Sequence, residues 1–397
     1  MTTLTPSSML AIIAAQKNVL LYGPPGTGKT YLLANLMAIL GDREEAAGRP
    51  ALNLGDADNP IGLAADGAGD DDLPDNVTVD WVTFHQSYSY EEFVIGKYPV
   101  PEDGGVKLQP FFGLLMNAAV ALKEAGPDHG HLIIIDELNR ANASQVFGEF
   151  ITLLDPDYRS TIDGEVNPNA LKIRLPGIRY LEGQSEPISR FDGDETVELP
   201  DDWTFPENLY ILATMNSVDR AALPLDSALT RRFHKIEMAP DPNWLAEKLD
   251  VTVGDLTEKV DDLRRDVEDA TDLSVGETTV LLMDRLNAKI SSELGKDFEI
   301  GHALFMGVVK AGPEDRWQAL ISAWDNKVLP QLNERFVQNS DIMRYILKVV
   351  DQTKVGAAFK ERQPLGGGVI ENAPITVEPL AGLDLDIAKM ILRHLAI

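Results

Sequence analysis

The sequence predicts an α/β fold, in which a parallel sheet is flanked by helices, followed by a smaller helical lid subdomain at the C-terminal side. Two observations predict it. Up to about residue 239, short apolar runs that end in polar residues alternate with helical segments, which is typical of parallel α/β units. From residue 240 the apolar residues recur at helical spacing. We therefore expect an α/β core over 1–239, a helical lid over 240–350 and a tail with a terminal helix over 351–397.

The first element is a glycine-rich loop between the strand-like run 18–22 and the helix-like run 31–36. Successive backbone N–H groups of such a loop, with the helix N-terminus behind it, bind the phosphates of a nucleotide. Lys29 would reach the β and γ phosphates and Thr30 would hold Mg²⁺. The alternative is a Gly/Pro turn between two core elements, but every fixed position of the motif is present. The loop reads Gly23, Pro24, Pro25, Gly26, Thr27, Gly28, Lys29, Thr30.

Further strands and helices follow along the core. The stretch 41–80 is rich in Gly, Ala and Asp and is expected to be an acidic, solvated insertion. Short extended runs among turn residues predict one or two hairpins as an insertion at about 157–200. The remaining core elements are strands at 81–84, 131–136 and 209–216 and a helix at 111–123. The expected lid helices are 244–249, 256–271, 277–294, 317–328 and 340–350, and the last helix, 383–397, has no role that its sequence reveals.

Composition excludes several kinds of chemistry. The chain has no cysteine, which removes disulfides and thiolate catalysis, and its six histidines show no metal-ligand spacing, so nucleotide-bound Mg²⁺ is the one metal expected. The net charge of -28 argues against general nucleic-acid affinity and favours a high-salt cytoplasm. No run of 18 uncharged apolar residues occurs and the start lacks the basic residues of a signal peptide, so we expect a cytoplasmic protein without a membrane segment.

An acidic pair ends the apolar strand at 131–136. Asp136 would hold Mg²⁺ through its water shell, and Glu137 would orient and polarise the water that attacks the γ phosphate. A pair of acids at a strand end is otherwise often only a solvated turn. Beside an intact phosphate-binding loop in a parallel sheet, the catalytic interpretation is the better one.

Polar residues after the next core strand are further candidates. Asn216 would leave the sheet at the same edge as Glu137, where its amide could hold the attacking water, although it could equally cap the following turn. Asp219 could belong to the site or to a structural ion pair. Arg231 and Arg232 end a short helix, where they could stabilise a neighbouring subunit's γ phosphate or only interact with the helix dipole.

Together these motifs resemble the AAA+ superfamily of P-loop NTPases, and within it the McrB-like GTPase subunits of modification-dependent (5-methylcytosine) restriction systems. The resemblance rests on segments spread over residues 18 to about 345. They are Thr-Phe-His-Gln-Ser-Tyr-Ser-Tyr-Glu-Glu-Phe at 83–93, Ile-Asp-Glu-Leu-Asn-Arg-Ala-Asn at 135–142, Met-Asn-Ser-Val-Asp-Arg at 215–220, Asp-Ser-Ala-Leu-Thr-Arg-Arg-Phe at 226–233, Ile-Gly-His-Ala-Leu-Phe-Met at 300–306 and Asn-Lys-Val-Leu-Pro-Gln-Leu at 326–332.

The resemblance implies a hexameric ring, driven by GTP or ATP with Mg²⁺, whose hydrolysis is coupled to a separate McrC-like nuclease subunit. It also implies that Asn216 senses the γ phosphate and that Asp219 is part of a Met-Asn-x-x-Asp signature. Arg231 or, preferably, Arg232 would contact the γ phosphate in the active site of a neighbouring subunit. Only about 17 residues precede the loop strand, so we expect target recognition, like DNA cleavage, to belong to another component, with DNA contacted through the complex.

Several points stay open on the sequence alone. The resemblance favours GTP, whereas the superfamily as a whole favours ATP, and no Asn-Lys-x-Asp motif decides between them. His85 and Gln86 could contact substrate or pack internally, the latter being commoner for a histidine. The segment near His302 lacks the arginine expected at a second-sensor position. Alternative functions are a dynein-related or MoxR-like ATPase that remodels protein partners, and a nucleotide-gated scaffold.

Overall fold

The structure is a computed structural model, and it describes residues 5–46, 76–102, 104–126, 129–161, 167–190, 195–218, 223–254, 256, 259, 273–336, 340–347, 359–361, 375–377 and 379–397. The chain forms two compact units. The first comprises Met1–Tyr22 and Lys29–Glu237, and the second comprises Gly23–Gly28 and Met238–Ile397. Most of the acidic insertion expected at 41–80 and of the helix expected at 256–271 lies outside the described residues, as does Asp219.

The first unit combines strands and helices. Its strands are β1 (Asn18–Gly23), β2 (Asn76–Thr83), β3 (Ile95–Glu102), β4 (Gly105–Phe112), β5 (His129–Asp136), β6 (Tyr180–Leu181), β7 (Gln184–Ser185), β8 (Ile188–Ser189), β9 (Thr196–Val197), β10 (Leu209–Asn216) and β11 (His234–Glu237). Its helices are α1 (Pro6–Gln16), α2 (Lys29–Ala46), α3 (Tyr90–Phe93), α4 (Leu114–Ala125), α5 (Ala143–Phe147) and α6 (Ser227–Thr230).

The main sheet has five strands in the order β11-β1-β10-β5-β2. The pairs β1 with β11, β10 with β5, and β2 with β5 are parallel. The middle six residues of β5 and the first six of β10 are buried, whereas Asp136 and Asn216 at the strand ends are only half-buried. A central parallel strand is apolar because helices cover both of its faces. The predicted fold class is confirmed, and the sheet presents its polar residues at the carboxyl ends of the strands.

The helix expected at 111–123 begins later than the sequence predicts. Phe111 and Phe112 belong to β4, which pairs antiparallel with β3, and α4 starts at Leu114. Gly113 separates the two elements, and its N–H donates to the carbonyl oxygen of Val94 at 2.8 Å. The apolar pattern across 111–123 does not reveal this boundary, because both elements bury their apolar residues in the same core. Strands β3, β4, β8 and β9 form a second sheet, and β6 and β7 form a separate hairpin.

A buried arginine joins the main sheet to the segment that follows α5. Arg159 is 1% exposed, and burial lowers its pKa to about 10. Its guanidinium donates to the carbonyl oxygens of Leu153 (2.7 Å), Leu154 (2.8 Å) and Leu209 (2.6 Å) and to Oδ1 of Asn18 (3.0 Å). Arg159 therefore connects the starts of β1 and β10 to the short helical turns at 148–154. A buried guanidinium is tolerated where its donors are satisfied in this way.

The second unit is mainly helical. Its elements are α7 (Pro242–Lys248), α8 (Val275–Leu294), α9 (Met306–Lys310), α10 (Arg316–Ala323), α11 (Leu329–Phe336), α12 (Ser340–Ile346), β12 (Phe359–Glu361), β13 (Ile375–Val377) and α13 (Leu385–Ala396). Ser274 and Glu277 form a capping box at the start of α8, which satisfies N–H groups that the helix itself leaves free. This unit contains the helical lid subdomain that the sequence predicts.

The terminal helix α13 is part of the core of the second unit. Its apolar residues recur every three or four positions and lie on one face, which is buried with α8. Arg393 donates from Nε to the carbonyl oxygen of Leu273 at 2.9 Å, just before α8. The last segment of the chain thus packs on the lid. Among the described helices, none combines the length and apolarity needed to cross a membrane.

Candidate nucleotide site

A threonine connects the two acids that end β5. Thr214 Oγ1 donates to Oδ1 of Asp136 and accepts a hydrogen bond from the backbone N–H of Glu137 at 3.2 Å. The parallel register of β5 and β10 explains this contact, because Ile135 lies opposite Ala213 and the next residues along are Asp136 and Thr214. One hydroxyl therefore fixes both the side chain of the first acid and the backbone of the second.

The side chain of Glu137 is fixed from two sides. Its Oε1 accepts a hydrogen bond from Nδ2 of Asn216 at 2.7 Å, and its Oε2 lies 3.4 Å from Nε of Arg140. The backbone of Glu137 is left-handed, with φ 59°, a conformation that costs energy for a residue with a Cβ. Strained residues persist where their surroundings hold them, and here the contacts with Thr214, Asn216 and Arg140 do so.

Asn216 therefore lies beside Glu137, at the sheet edge where the sequence places it. The backbone carbonyl oxygen of Asn216 accepts a hydrogen bond from Nδ2 of Asn139 at 2.9 Å. Thr214 and Asn139 contact the predicted site residues, although the sequence does not predict a role for either. A signal for Thr214 exists, because it precedes Asn216 by two residues on one strand and so shares its face. Asn139 lies in a short helical turn after Glu137, and the signal for it is its place in the 135–142 motif.

Lys29, at the start of α2, interacts electrostatically with the same acids. It is 7% exposed, and burial lowers its pKa from 10.5 to about 8, while the charges of Glu137 and Asp136 oppose that shift. A lysine in this setting is costly to keep charged. An anionic ligand next to it would favour the charged form.

Most of the predicted loop, Gly23–Gly28, belongs to the second unit. Gly26 and Gly28 have φ angles of 79° and 88°, which glycine adopts without strain. Thr27 Oγ1 donates to the carbonyl oxygen of Pro24 at 3.0 Å. The loop also touches the segment after α8: Ala303 N–H donates to the carbonyl oxygen of Gly26 at 2.9 Å, and a Cβ on Gly301 would come within 2.0 Å of the Gly26 backbone.

Both residues that the sequence predicts as Mg²⁺ ligands, Thr30 and Asp136, offer oxygen donors. Asp136 has its carboxylate oriented by Thr214, and Thr30 has an exposed side chain at the start of α2. Carboxylate and hydroxyl oxygens are ligands that Mg²⁺ accepts, and it commonly takes the rest of its shell from phosphates and water. In the described parts of the chain no cluster of three or more His, Cys, Asp or Glu side chains could hold a metal. The hydroxyl of Thr30 and the carboxylate of Asp136 are suitable ligands for the Mg²⁺ that accompanies a nucleotide.

The two candidate arginines differ in environment. Arg231 is exposed at the end of α6. Arg232 is half-buried, its Nη1 donates to the carbonyl oxygen of Ala228 at 2.6 Å, and its own carbonyl oxygen accepts a hydrogen bond from Nδ2 of Asn18 at 3.3 Å. The backbone of the pair is thus anchored to the start of β1, and Arg231 has the freer side chain.

His85 and Gln86 lie at the surface. Both are exposed, although the preceding Phe84 is fully buried. His85 makes an edge-on ring contact with Tyr88 at 5.6 Å, and Tyr88 stacks on Phe84 at 4.8 Å. The internal packing that is commoner for a histidine does not occur here. The segment instead uses two aromatic rings to anchor an exposed turn.

Three family models match the chain in successive regions. Residues 5–50 match the magnesium chelatase subunit ChlI, residues 75–233 match the AAA domain of the dynein-related subfamily, and residues 278–344 match the McrB alpha-helical lid domain. The sheet, the loop motif and these matches define a P-loop NTPase of the AAA+ class.

Two relatives indicate the family within the AAA+ class to which the chain belongs. The chain is 30% identical over 343 residues to the type IV methyl-directed restriction enzyme EcoKMcrB subunit of Escherichia coli K12, a match that covers 84% of this chain and 56% of that protein. It is also 30% identical over 244 residues to the type II restriction enzyme BsuMI component YdiS of Bacillus subtilis 168, covering 55% of each. The chain is an McrB-like AAA+ protein, and it spans just over half the length of these relatives.

A solved structure from Cytophaga hutchinsonii aligns with 81% of this chain at 14% identity and a TM-score of 0.27. That score is too low to establish a shared fold.

Proposed function

We propose that this chain hydrolyses a nucleoside triphosphate with Mg²⁺ and is the ring-forming motor subunit of an McrBC-like restriction complex, in which a separate nuclease subunit cuts DNA. The observation that supports hydrolysis most directly is the arrangement around Glu137. Its backbone is held by Thr214 and its carboxylate by Asn216 and Arg140. A protein that only binds a nucleotide has no need of a carboxylate positioned in this way.

The proposed roles follow from these contacts. Gly23–Thr30 would bind the phosphates, with Lys29 compensating their charge, and Thr30 and Asp136 would hold Mg²⁺, which would supply further positive charge against the phosphates. Glu137 accepts a proton from the attacking water. Asn216 fixes the Glu137 carboxylate through its 2.7 Å hydrogen bond and is close enough to share that water. Phosphoryl transfer depends mainly on positioning and charge neutralisation, which these residues supply.

We assign Arg231 or Arg232 to the active site of a neighbouring subunit in a hexameric ring, with Asp219 completing the Met-Asn-x-x-Asp signature. Exposure of Arg231 supports a role outside its own subunit. The bond from Arg232 to the carbonyl oxygen of Ala228 would have to break before that side chain could reach a neighbour. A guanidinium is suited to this task because it stays charged and offers several donors.

The names of the two relatives support a restriction system as the setting. By analogy with the methyl-directed E. coli enzyme, the complex would act on modified DNA, which this chain would contact only through its partners. The nucleotide is GTP or ATP. The charge of -28 fits a high-salt cytoplasm, where ions screen the repulsion between acidic residues.

A remodelling ATPase is the second candidate. The match of 75–233 to the dynein-related AAA domain and of 5–50 to the magnesium chelatase subunit favours it. Such a protein would use the same sheet and acids on a protein partner, without a nuclease. A nucleotide-gated scaffold is disfavoured by the placement of Glu137.

Hydrolysis is tested with Glu137→Gln. We expect the variant to bind nucleotide with wild-type affinity, to accumulate as the nucleotide-bound oligomer, and to lose at least about a hundredfold in turnover, because the amide cannot accept the proton. Glu247→Gln, at an exposed carboxylate of the lid, is the control and should hydrolyse normally. An unchanged rate of phosphate release by Glu137→Gln would show that Glu137 is not the general base.

The setting is tested by purifying the chain from its native host at native salt with whatever binds to it. A co-purifying nuclease, with nucleotide-dependent cleavage of modified DNA, is expected. A co-purifying metal-loading or remodelling client without DNA cleavage would favour the second candidate. Parallel titrations with GTP and ATP identify the nucleotide, and clearly tighter ATP binding would refute the preference for GTP.

A further inference from the structure

The segment after α8 packs directly on the phosphate-binding loop within the second unit. Besides the contacts of Gly26 with Gly301 and Ala303, Nε2 of His302 lies 3.6 Å from the position that a Cβ on Gly28 would occupy. Gly28 immediately precedes Lys29. A lid side chain thus reaches the backbone of the loop at its last glycine.

The hydrogen bond on the other side of the ring fixes which nitrogen of His302 is protonated. The backbone N–H of Asp241 donates to Nδ1 at 3.1 Å, so Nδ1 is an acceptor and the hydrogen of the neutral ring is on Nε2. Burial lowers the pKa of His302, against the opposing charge of Asp241, which also favours the neutral ring. Trp244 packs beside the ring at 4.9 Å between centroids. The ring is therefore held with an N–H directed toward the loop.

Nothing in the described parts of the chain accepts a hydrogen bond from Nε2. This half-buried donor, beside a phosphate-binding backbone, is therefore available to an acceptor on a bound ligand. We infer that His302 is a positioning residue of the lid, whose Nε2–H donates to a phosphate oxygen of the bound nucleoside triphosphate. This inference depends on the proposed nucleotide site, and it assigns to His302 the sensing contact for which the sequence provides no arginine.

Because Nδ1 is bonded to the backbone just before α7, the same ring links the nucleotide to a lid helix. Asp241 is the N-cap of α7, and its Oδ1 accepts a hydrogen bond from the N–H of Trp244 at 2.9 Å. A phosphate on one nitrogen strengthens the acceptor at the other, since chains of hydrogen bonds polarise one another. Nucleotide binding would therefore stabilise the start of α7.

Two substitutions separate this role from a purely structural one. His302→Phe keeps the ring that packs on Trp244 but has no donor, whereas His302→Gln loses the ring and retains an N–H donor near the position of Nε2. The probes are fluorescent, non-hydrolysable GTP and ATP analogues with Mg²⁺, titrated against the full chain. We expect His302→Phe to weaken binding about 10- to 100-fold, the usual loss for a hydrogen bond to a charged group, and His302→Gln to weaken it less.

A purely structural role predicts the reverse order, with Gln worse than Phe, and that result would overturn the inference. Lys29→Ala tests the underlying site. If the wild type binds and Lys29→Ala does not, but His302→Phe binds normally, only the role of His302 fails. If Lys29→Ala binds as the wild type does, the proposed site itself fails. Thermal melting verifies folding, and if His302→Phe is unfolded, His302→Asn, which keeps an acceptor for Asp241 but is too short to reach the loop, replaces it.

Discussion

Binding of a triphosphate should be accompanied by proton uptake at Lys29. Burial lowers its pKa to about 8 in the structure, so a fraction of the empty sites is neutral at mildly alkaline pH. The phosphates would add negative charge beside the ammonium group and return its pKa toward 10.5, the ordinary value. Each neutral site must then take up a proton when nucleotide binds.

The magnitude follows from the pKa of about 8. About 0.1 proton should be taken up per site at pH 7, about 0.5 at pH 8 and about 0.9 at pH 9. If only the charged lysine binds, affinity should fall about tenfold from pH 7 to pH 9, which is about 1.4 kcal/mol. The sign is fixed: affinity is highest below pH 8 and declines as Lys29 loses its proton.

Isothermal titration calorimetry with a non-hydrolysable analogue measures this uptake. At pH 8 the binding enthalpy is compared in HEPES and Tris buffers, and its dependence on the ionisation enthalpy of the buffer gives the number of protons. Lys29→Arg is the matched control, because its side chain stays charged at every pH used and should take up no proton. The reasoning is refuted if the wild type shows equal enthalpies in both buffers and an affinity independent of pH between 7 and 9.

Three further predictions concern other parts of the first unit. Arg159→Met should lower the free energy of unfolding by about 3 to 5 kcal/mol, because it leaves buried acceptors unsatisfied. The control Arg174→Met breaks an exposed ion pair and should lower it by less than about 0.5 kcal/mol. Equal urea midpoints for the two variants would contradict this prediction. Thr214→Val should bind nucleotide normally but lose about 10- to 100-fold in kcat, measured as phosphate release, and an unchanged kcat would show that the hydroxyl does not position the acids. Arg232→Ala should lose turnover and regain it in rings mixed with Lys29→Ala subunits, since each subunit would supply what the other lacks; no recovery on mixing would argue against a role between subunits.

Much of the candidate site was predictable from sequence because its residues follow apolar strands. Asp136 and Asn216 end neighbouring parallel strands, so the fold alone brings them to one edge. The two-residue spacing to Asn216 gives the face of Thr214, but its contacts with the acids depend on the register of β10 against β5, which hydrophobic patterns do not give. The start of α4 was misplaced because Phe111 and Phe112 are equally apolar in a strand or a helix.

The buried arginine was also beyond prediction, since arginine is rarely buried and nothing local in the sequence marks Arg159 as an exception. Its partners are 50 residues away at Leu209 and 141 residues away at Asn18. Only the folded chain brings these atoms together. The exposure of His85 is a similar case, because the aromatic anchor at Tyr88 and Phe84 decides which side chains of the turn face outward.

The hydrogen bonds of Arg159 all go to neutral oxygens, three from the backbone and one from Asn18. Exposed ion pairs such as Arg174 with Asp201 weaken as dissolved ions screen their charges, but ions do not reach a guanidinium that is 1% exposed. The joint between β1, β10 and the 148–154 turns should therefore be insensitive to ionic strength. Asn18 also donates a hydrogen bond to the backbone carbonyl oxygen of Arg232. The backbone that carries Arg231 and Arg232 is therefore held by a contact whose strength should not depend on salt concentration.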